Sequence, residues 1–214
     1  MESILPFIAT YVLIGATVLV SMLAFGNEQI MDDLIFYPPA IGRGQWYRFF
    51  SNGFIHADYF HLVFNMYALY GFGRIIELAL SQLFPGYGRI LYALMYFAAL
   101  LVCLLPTFFK HRHNYHYRSL GASGAVSAVL FACIMLMPGE GISIFFLPEI
   151  PGYVFGPIYL LISSFMDRRG GDNINHSAHL WGALFGIAFI IVACQVAGYP
   201  VITNFVNQVQ HSLR

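Results

Sequence analysis

The stretch Gly121-Ala122-Ser123-Gly124 sets a hydroxyl between glycines at the head of a long apolar run. Two other polar intrusions answer it. His61 and Asn65 are four residues apart and share one helix face, and His179 stands just before Leu180-Trp181-Gly182. A serine hydroxyl is a poor nucleophile until a neighbouring base takes its proton. An imidazole, with an unperturbed pKa of about 6.5, suits that task at neutral pH. Ser123 and His179 therefore point to hydrolysis through nucleophilic attack. His61, Asn65 and the Ser123 backbone N–H are candidate donors to the oxyanion of a tetrahedral intermediate. Polar and ionisable groups are expensive inside a bilayer, so within apolar segments they are functional candidates by default.

Each of these residues also has a plainer role open to it. Ser123 suits a helix N-cap, His179 a buried ring bonded to a carbonyl, and His61 with Asn65 an interhelical polar clasp. His176 is a competing base, three residues before His179 on the same helical face. His179 is preferred because it adjoins a ridge of small residues. Asp167 and Asp172 lie in the preceding loop and neither is placed as a third member, so the expectation is a dyad. His56, Asn52, His111, His113 and His116 could suggest a metal. No carboxylate or cysteine completes such a set, so no metal is expected and the 110–116 stretch reads as a solvated loop.

The elements that must position these groups follow from composition. Of 214 residues, 59% are hydrophobic and 9% charged, with mean hydropathy +0.70. A soluble domain carries about a quarter charged residues. The chain reads as an all-α integral membrane protein of one domain, residues 1–214, with the lipid bilayer as its medium. Net charge is zero, which gives no reason to expect nucleic acid. Cys103, Cys133 and Cys194 lie in apolar runs and read as small buried hydrophobes. The run from Ile4 to Phe25 exceeds the roughly 7–15 residues of a signal-peptide core, and reads as a retained first span.

Six apolar segments are predicted, at about 5–25, 59–80, 90–109, 123–137, 153–166 and 177–197. Without barrel alternation, each can satisfy its own backbone in lipid only as a helix. The fourth and fifth are short. The fifth rises only about 20 Å against a hydrocarbon core of about 30 Å, unless it lengthens into Phe145–Gly152. The long connection from Gly26 to Asp58 holds Trp46, Tyr47 and Arg48, a mixture suited to the headgroup level, and reads as a structured interfacial loop.

If all six segments span, the second, fourth and sixth run the same way. Ser123, His179, His61 and Asn65 then fall at similar depth on one side. Small residues repeat every four positions beside the chemical groups: Gly124, Ala128 and Ala132 in the fourth segment, and Ala178, Gly182 and Gly186 in the sixth. Such ridges let helix backbones approach closely, which predicts a hydrogen bond of about 2.6–3.2 Å between Ser123 Oγ and the His179 ring.

These residues resemble the rhomboid intramembrane serine proteases, in their basic six-span bacterial form, over about Trp46 to Gly186. Trp46-Tyr47-Arg48 is similar to the Trp-Arg motif of the first loop. His61-x-x-x-Asn65 is similar to the second-span pair, and Gly121-Ala122-Ser123-Gly124 to the Gly-x-Ser-Gly nucleophile motif. Ala178-His179-x-x-Gly182-x-x-x-Gly186 is similar to the sixth-span motif. Gly73 and Glu77 also fall where the family has a Gly and a Glu.

The resemblance implies a Ser123–His179 dyad with His61, Asn65 and the Ser123 amide as oxyanion donors, transmembrane protein substrates, and no cofactor. It implies structural roles for Trp46, Arg48 and Glu77, a movable fifth span, and a cap made by the loop before the sixth. Ser127 departs from the pattern, standing where some members place an aromatic that stacks on the histidine. His179 is then expected to lean on Trp181 or Tyr159. Asn52 stands where some relatives have histidine. Length and architecture suggest a bacterial cell membrane, and the family arrangement sets the N-terminus in the cytoplasm. That places Arg43, Arg48, Lys110, Arg112, Arg118, Arg168 and Arg169 outside and Arg74, Arg89 and Arg214 inside, against the positive-inside bias.

Overall fold

The computed structural model describes residues 7–143, 148–171 and 174–213. Helix α1 (Ile8–Phe25) leads into a loop region of short helices: α2 (Glu28–Leu34), α3 (Pro38–Ile41), α4 (Arg48–Ser51) and a 3-10 turn (Asn52–Phe54). Then come α5 (Tyr59–Leu83), α6 (Gly88–Val102), α7 (Leu105–His111) and α8 (Ser123–Leu136). A minimal antiparallel pair, β1 (Gly141–Ile142) and β2 (Ile150–Pro151), precedes α9 (Gly152–Arg169), α10 (His176–Val196) and α11 (Val201–Ser212). The described chain is an all-α bundle apart from that pair.

The six predicted segments return as α1, α5, α6 with α7, α8, α9 and α10. The third divides at Cys103-Leu104, because Pro106 in the first turn of α7 cannot continue the ladder from α6. The fifth is longer than expected, 18 residues and about 27 Å, because its polar end Asp167-Arg168-Arg169 stays helical. Leu5, Phe145 and Asp172 lie outside the described residues. Helices α2 and α11 have no counterpart among the predicted segments. The Asn27 side chain caps α2, accepting from the Gln29 and Ile30 N–H groups at 3.0 and 3.2 Å. Helix α11 lies against α8, with Gln208 Nε2 donating to the Leu136 carbonyl at 3.2 Å. Three described helical stretches are long and apolar enough to cross a bilayer: Ile8–Phe25, Gly88–His111 and His176–Val196.

Helix α8 is the axis of the bundle. Eleven of its fourteen residues are buried, so it is apolar all round rather than amphipathic. Helices α5, α6, α9 and α10 pack around it, α10 most extensively. At the α8–α10 crossing a β-carbon on Gly182 would collide with the Gly124 carbonyl, and one on Gly186 with that of Ala128. The predicted ridges thus meet backbone to backbone.

Helix α1 is anchored by α5. The Glu77 carboxylate accepts from the Ala9 and Thr10 N–H groups at 2.9 and 2.8 Å and from Thr10 Oγ1 at 2.7 Å. Those amides sit in the first turn of α1, where helix geometry supplies no acceptor and the local potential favours an anion. Gly73, one turn earlier, lets Thr10 and Tyr92 approach α5 closely.

Candidate active site

Ser123 opens α8 and His179 lies in the first turn of α10. The Ala178 N–H donates to Asn175 Oδ1 at 3.0 Å, which caps α10. With the backbones in contact at Gly124 and Gly182, the side chains one step away meet. His179 Nε2 lies 2.7 Å from Ser123 Oγ. His176 packs edge-on to His179, ring centroids 5.9 Å apart, as a neighbour of the ring that contacts the serine. Asp167, weighed as a third member, bears on Tyr117, whose phenol is pushed up to about 12, chiefly by burial. Asp172 lies outside the described residues.

The turn ahead of Ser123 is shaped by Gly121, at φ 116°. A β-carbon there would be strained in that conformation and would also meet His61 Cε1 at 2.7 Å. The His61 ring therefore rests on the turn that presents Ser123. The Ser123 N–H belongs to the first turn of α8 and has no intrahelical acceptor, as a donor to a developing oxyanion requires. Asn65 sits one turn below His61. Its Nδ2 donates to the His61 carbonyl at 2.9 Å, so its amide here serves its own helix.

The same turn is tied to the first loop. Phe36 and Ser119 exchange backbone hydrogen bonds at 3.0 and 3.2 Å, and the Gly121 N–H donates to the Asn52 carbonyl at 2.9 Å. Arg48 holds that loop in shape, with Nη1 donating to the Asp32 and Ile35 carbonyls at 2.7 and 2.8 Å and Nε to Gln45 Oε1 at 2.6 Å. Trp46 remains 59% exposed and stacks on Phe49, as befits a ring at the rim.

Two residues were given the wrong weight from sequence. The sequence sets His56 only among residues that could suggest a metal, within a structured loop, and there it is fully buried. The Ala122 N–H donates to its Nε2 at 3.4 Å, and its Nδ1 lies 3.0 Å from Ser21 Oγ. Ser21 donates to the Phe54 carbonyl at 2.9 Å, so Nδ1–H is the donor to Ser21 and the ring is neutral. Burial, reinforced by His61 and opposed by Asp58, pushes the His56 pKa down to about 3. Asn52 likewise holds loop carbonyls, those of Arg48 and Phe49 at 2.7 and 2.9 Å. A polar Ser21 inside an apolar first segment was the signal for such a partner. Among the described residues no cluster suited to a metal forms.

Of the two expected supports for His179, Tyr159 is the one in place. Its ring lies at 22° to the imidazole with centroids 6.3 Å apart, whereas Trp181 is exposed. The site therefore combines a hydroxyl, a base in contact with it, free helix-terminal donors and a ring-braced imidazole, a set fitted to acyl transfer.

A family model described as Rhomboid domain matches residues 43–196. The chain is 32% identical over 141 residues to the bovine (Bos taurus) presenilin-associated rhomboid-like protein, mitochondrial, covering 64% of this chain and 35% of that protein. It is 28% identical to the Arabidopsis thaliana RHOMBOID-like protein 12, mitochondrial, covering 80% of this chain and 54% of that one. Rhomboid-like protein 15 of Arabidopsis thaliana is 26% identical, covering 86% and 46%. The chain thus spans between about a third and about half of the length of these curated relatives.

Proposed function

Because the chain belongs to the rhomboid family, we propose that it is an intramembrane serine endopeptidase acting on transmembrane protein segments. The observation that carries this reading is the 2.7 Å contact between Ser123 Oγ and His179 Nε2. Ser123 attacks the scissile carbonyl carbon as His179 Nε2 takes its proton. The Ser123 N–H and the His61 ring face the resulting oxyanion, and Asn65 joins them once its amide turns from the His61 carbonyl. The tetrahedral intermediate collapses as His179 passes the proton to the leaving amine, which leaves an acyl-serine. Water, deprotonated by the same nitrogen, releases the acid and restores Ser123. No step calls for a cofactor.

Six crossings are part of the proposal, with α1, α5, α6–α7, α8, α9 and α10 as the spans of a single 1–214 domain. The N-terminal end of α1, at Glu77, and the dyad lie at opposite ends of the bundle, which supports a site opening on the face opposite the start of α1; the family arrangement makes that start cytoplasmic. The bacterial cell membrane expected from the sequence draws no support from relatives whose names are mitochondrial.

The test is co-expression with a tagged single-span substrate. Wild type should yield a cleaved product, and Ser123→Ala should yield none while keeping its fold. Cleavage by Ser123→Ala at the wild-type rate would show that the dyad is not the catalyst. A wild type that captures the substrate uncut and resists fluorophosphonate at every pH would mark a client-binding protein instead.

A further inference from the structure

Arg74 stands on α5 one turn before Glu77, at the end of the bundle away from the dyad. Its guanidinium carbon lies 4.5 Å from the Phe7 ring centroid and 4.9 Å from that of Tyr70. Tyr11 completes the group, stacked on Tyr70 with centroids 6.2 Å apart and edge-on to Phe7 at 6.4 Å. A cation against two ring faces is attracted by both. Arg74 Nε is sealed and has no hydrogen-bond acceptor, so the rings hold this side chain. Nη1 and Nη2 are not sealed, and they have no partner among the described residues.

The charge around this fork is positive. Glu77, three residues on along the same helix face, accepts three hydrogen bonds from the first turn of α1, and that helix end carries positive potential. Arg89 Nε stands 4.0 Å from Glu77 Oε1, with its side chain 48% exposed. Two guanidinium groups and a helix N-terminus thus face one carboxylate, a balance that favours an added anion. Depth narrows the choice. The 18 residues of α1 rise about 27 Å, against a hydrocarbon core of about 30 Å. Phe7, at the N-cap of α1, therefore stands at the edge of the hydrocarbon, where phosphate groups lie. Ile8 and Tyr70 beside it are exposed, so the seam between α1 and α5 opens towards lipid.

We propose that the Nη edge of Arg74 holds the phosphate of a phospholipid headgroup, seated in the α1–α5 seam at the end of the bundle opposite the dyad. The planar fork presents two N–H groups side by side, which match two phosphate oxygens. The rings fix the fork before the lipid arrives, so little side-chain freedom is lost on binding. Arg89 adds charge nearby. The proposal rests on α1 crossing the bilayer, for which it is long and apolar enough, and not on the protease reading.

The experiment titrates the full chain, delipidated in a non-ionic detergent, with phosphatidylglycerol or with inorganic phosphate. It reads the thermal unfolding midpoint and the lipid adducts retained in native mass spectrometry. Phosphatidylglycerol should raise the wild-type midpoint saturably, because a ligand of the folded state stabilises it. Arg74→Met should raise the half-saturating lipid concentration by roughly tenfold or more, the worth of a hydrogen-bonded charge pair. Tyr70→Phe keeps the ring face and should titrate as wild type does. If Arg74→Met shows no unfolding transition, Arg74→Gln takes its place with the same expected loss. Equal titration of wild type and the Arg74 variant would overturn the proposal. Inorganic phosphate acting at the same concentration as the lipid would assign the fork to free phosphate and overturn the headgroup. Glu2 lies outside the described residues and serves as a control. A lipid response that appears only in Glu2→Gln would give the fork to the chain's own carboxylate, and would also overturn the proposal. Ser123 labelling by fluorophosphonate should proceed in Arg74→Met at the wild-type rate, so failure here and failure of the protease reading are separate results.

Discussion

His56 does its work by staying neutral. Its Nε2 can accept the Ala122 N–H only when unprotonated. In the folded protein its pKa is depressed to about 3, while the unfolded chain titrates near the ordinary value of 6.5. Below that ordinary value the unfolded state binds the proton and the folded state does not, so stability falls as pH drops from there towards 3. Thermal unfolding in detergent should show a midpoint that declines over this window, and His56→Gln should flatten the decline while lowering the midpoint at neutral pH. An equally steep decline in His56→Gln would assign the acid sensitivity to other groups. At this scale the meeting of Ser123 with His179 was legible because each stands beside a ridge of small residues that brings its helix against the other. Tyr159 could be named only as one of two candidates, and His56 was misread. Spacing within a helix says which face a residue occupies but not which neighbour covers that face.

Among the elements, the α8–α10 crossing carries the geometry of the dyad. Gly182→Val would drive a side chain into the Gly124 carbonyl, and backbone cannot swing aside as a side chain end can. We expect a loss of about 1–3 kcal/mol or more in stability. We also expect loss of Ser123 labelling in the fraction that remains folded, because the two helices separate one turn from His179. Wild-type labelling with a normal unfolding midpoint would refute the backbone contact. Five of the six apolar segments were legible nearly to their ends, since hydropathy marks what lipid and core demand alike. The split of the third segment did leave a signal in Pro106, which the apolar residues on either side of it masked. Helix α11 was hidden for the opposite reason: its polar face dilutes the apolar signal to that of a loop.

For the molecule as a whole, Glu77 joins α1 to the rest of the bundle through main-chain amides. Glu77→Ala would leave the Ala9 and Thr10 N–H groups without their acceptor, at a cost of about 1–3 kcal/mol. The unfolding midpoint should fall, while Ser123 labelling of the folded protein stays near wild type, because the anchor and the dyad lie at opposite ends. Loss of labelling at full stability would mean that α1 reaches the site directly. The charge imbalance across the bundle also changes meaning in three dimensions. Arg48 donates to loop carbonyls and Arg118 pairs with Asp32 at 2.6 Å, so both have a structural use in the first loop while keeping their charge.

The contacts of Gly182 with Gly124 and of Gly186 with Ala128 lie toward the Ser123–His179 end of the crossing, and together they form a broad fulcrum. When a thinner or thicker lipid leaflet tilts α10 against α8, the displacement grows with distance from that fulcrum. It is small at Ser123 and His179, next to the fulcrum, and largest at the far ends, near Leu136 and Val196. Changes of bilayer thickness would therefore be absorbed towards Leu136 and Val196, and Ser123 Oγ would keep its distance from His179 Nε2.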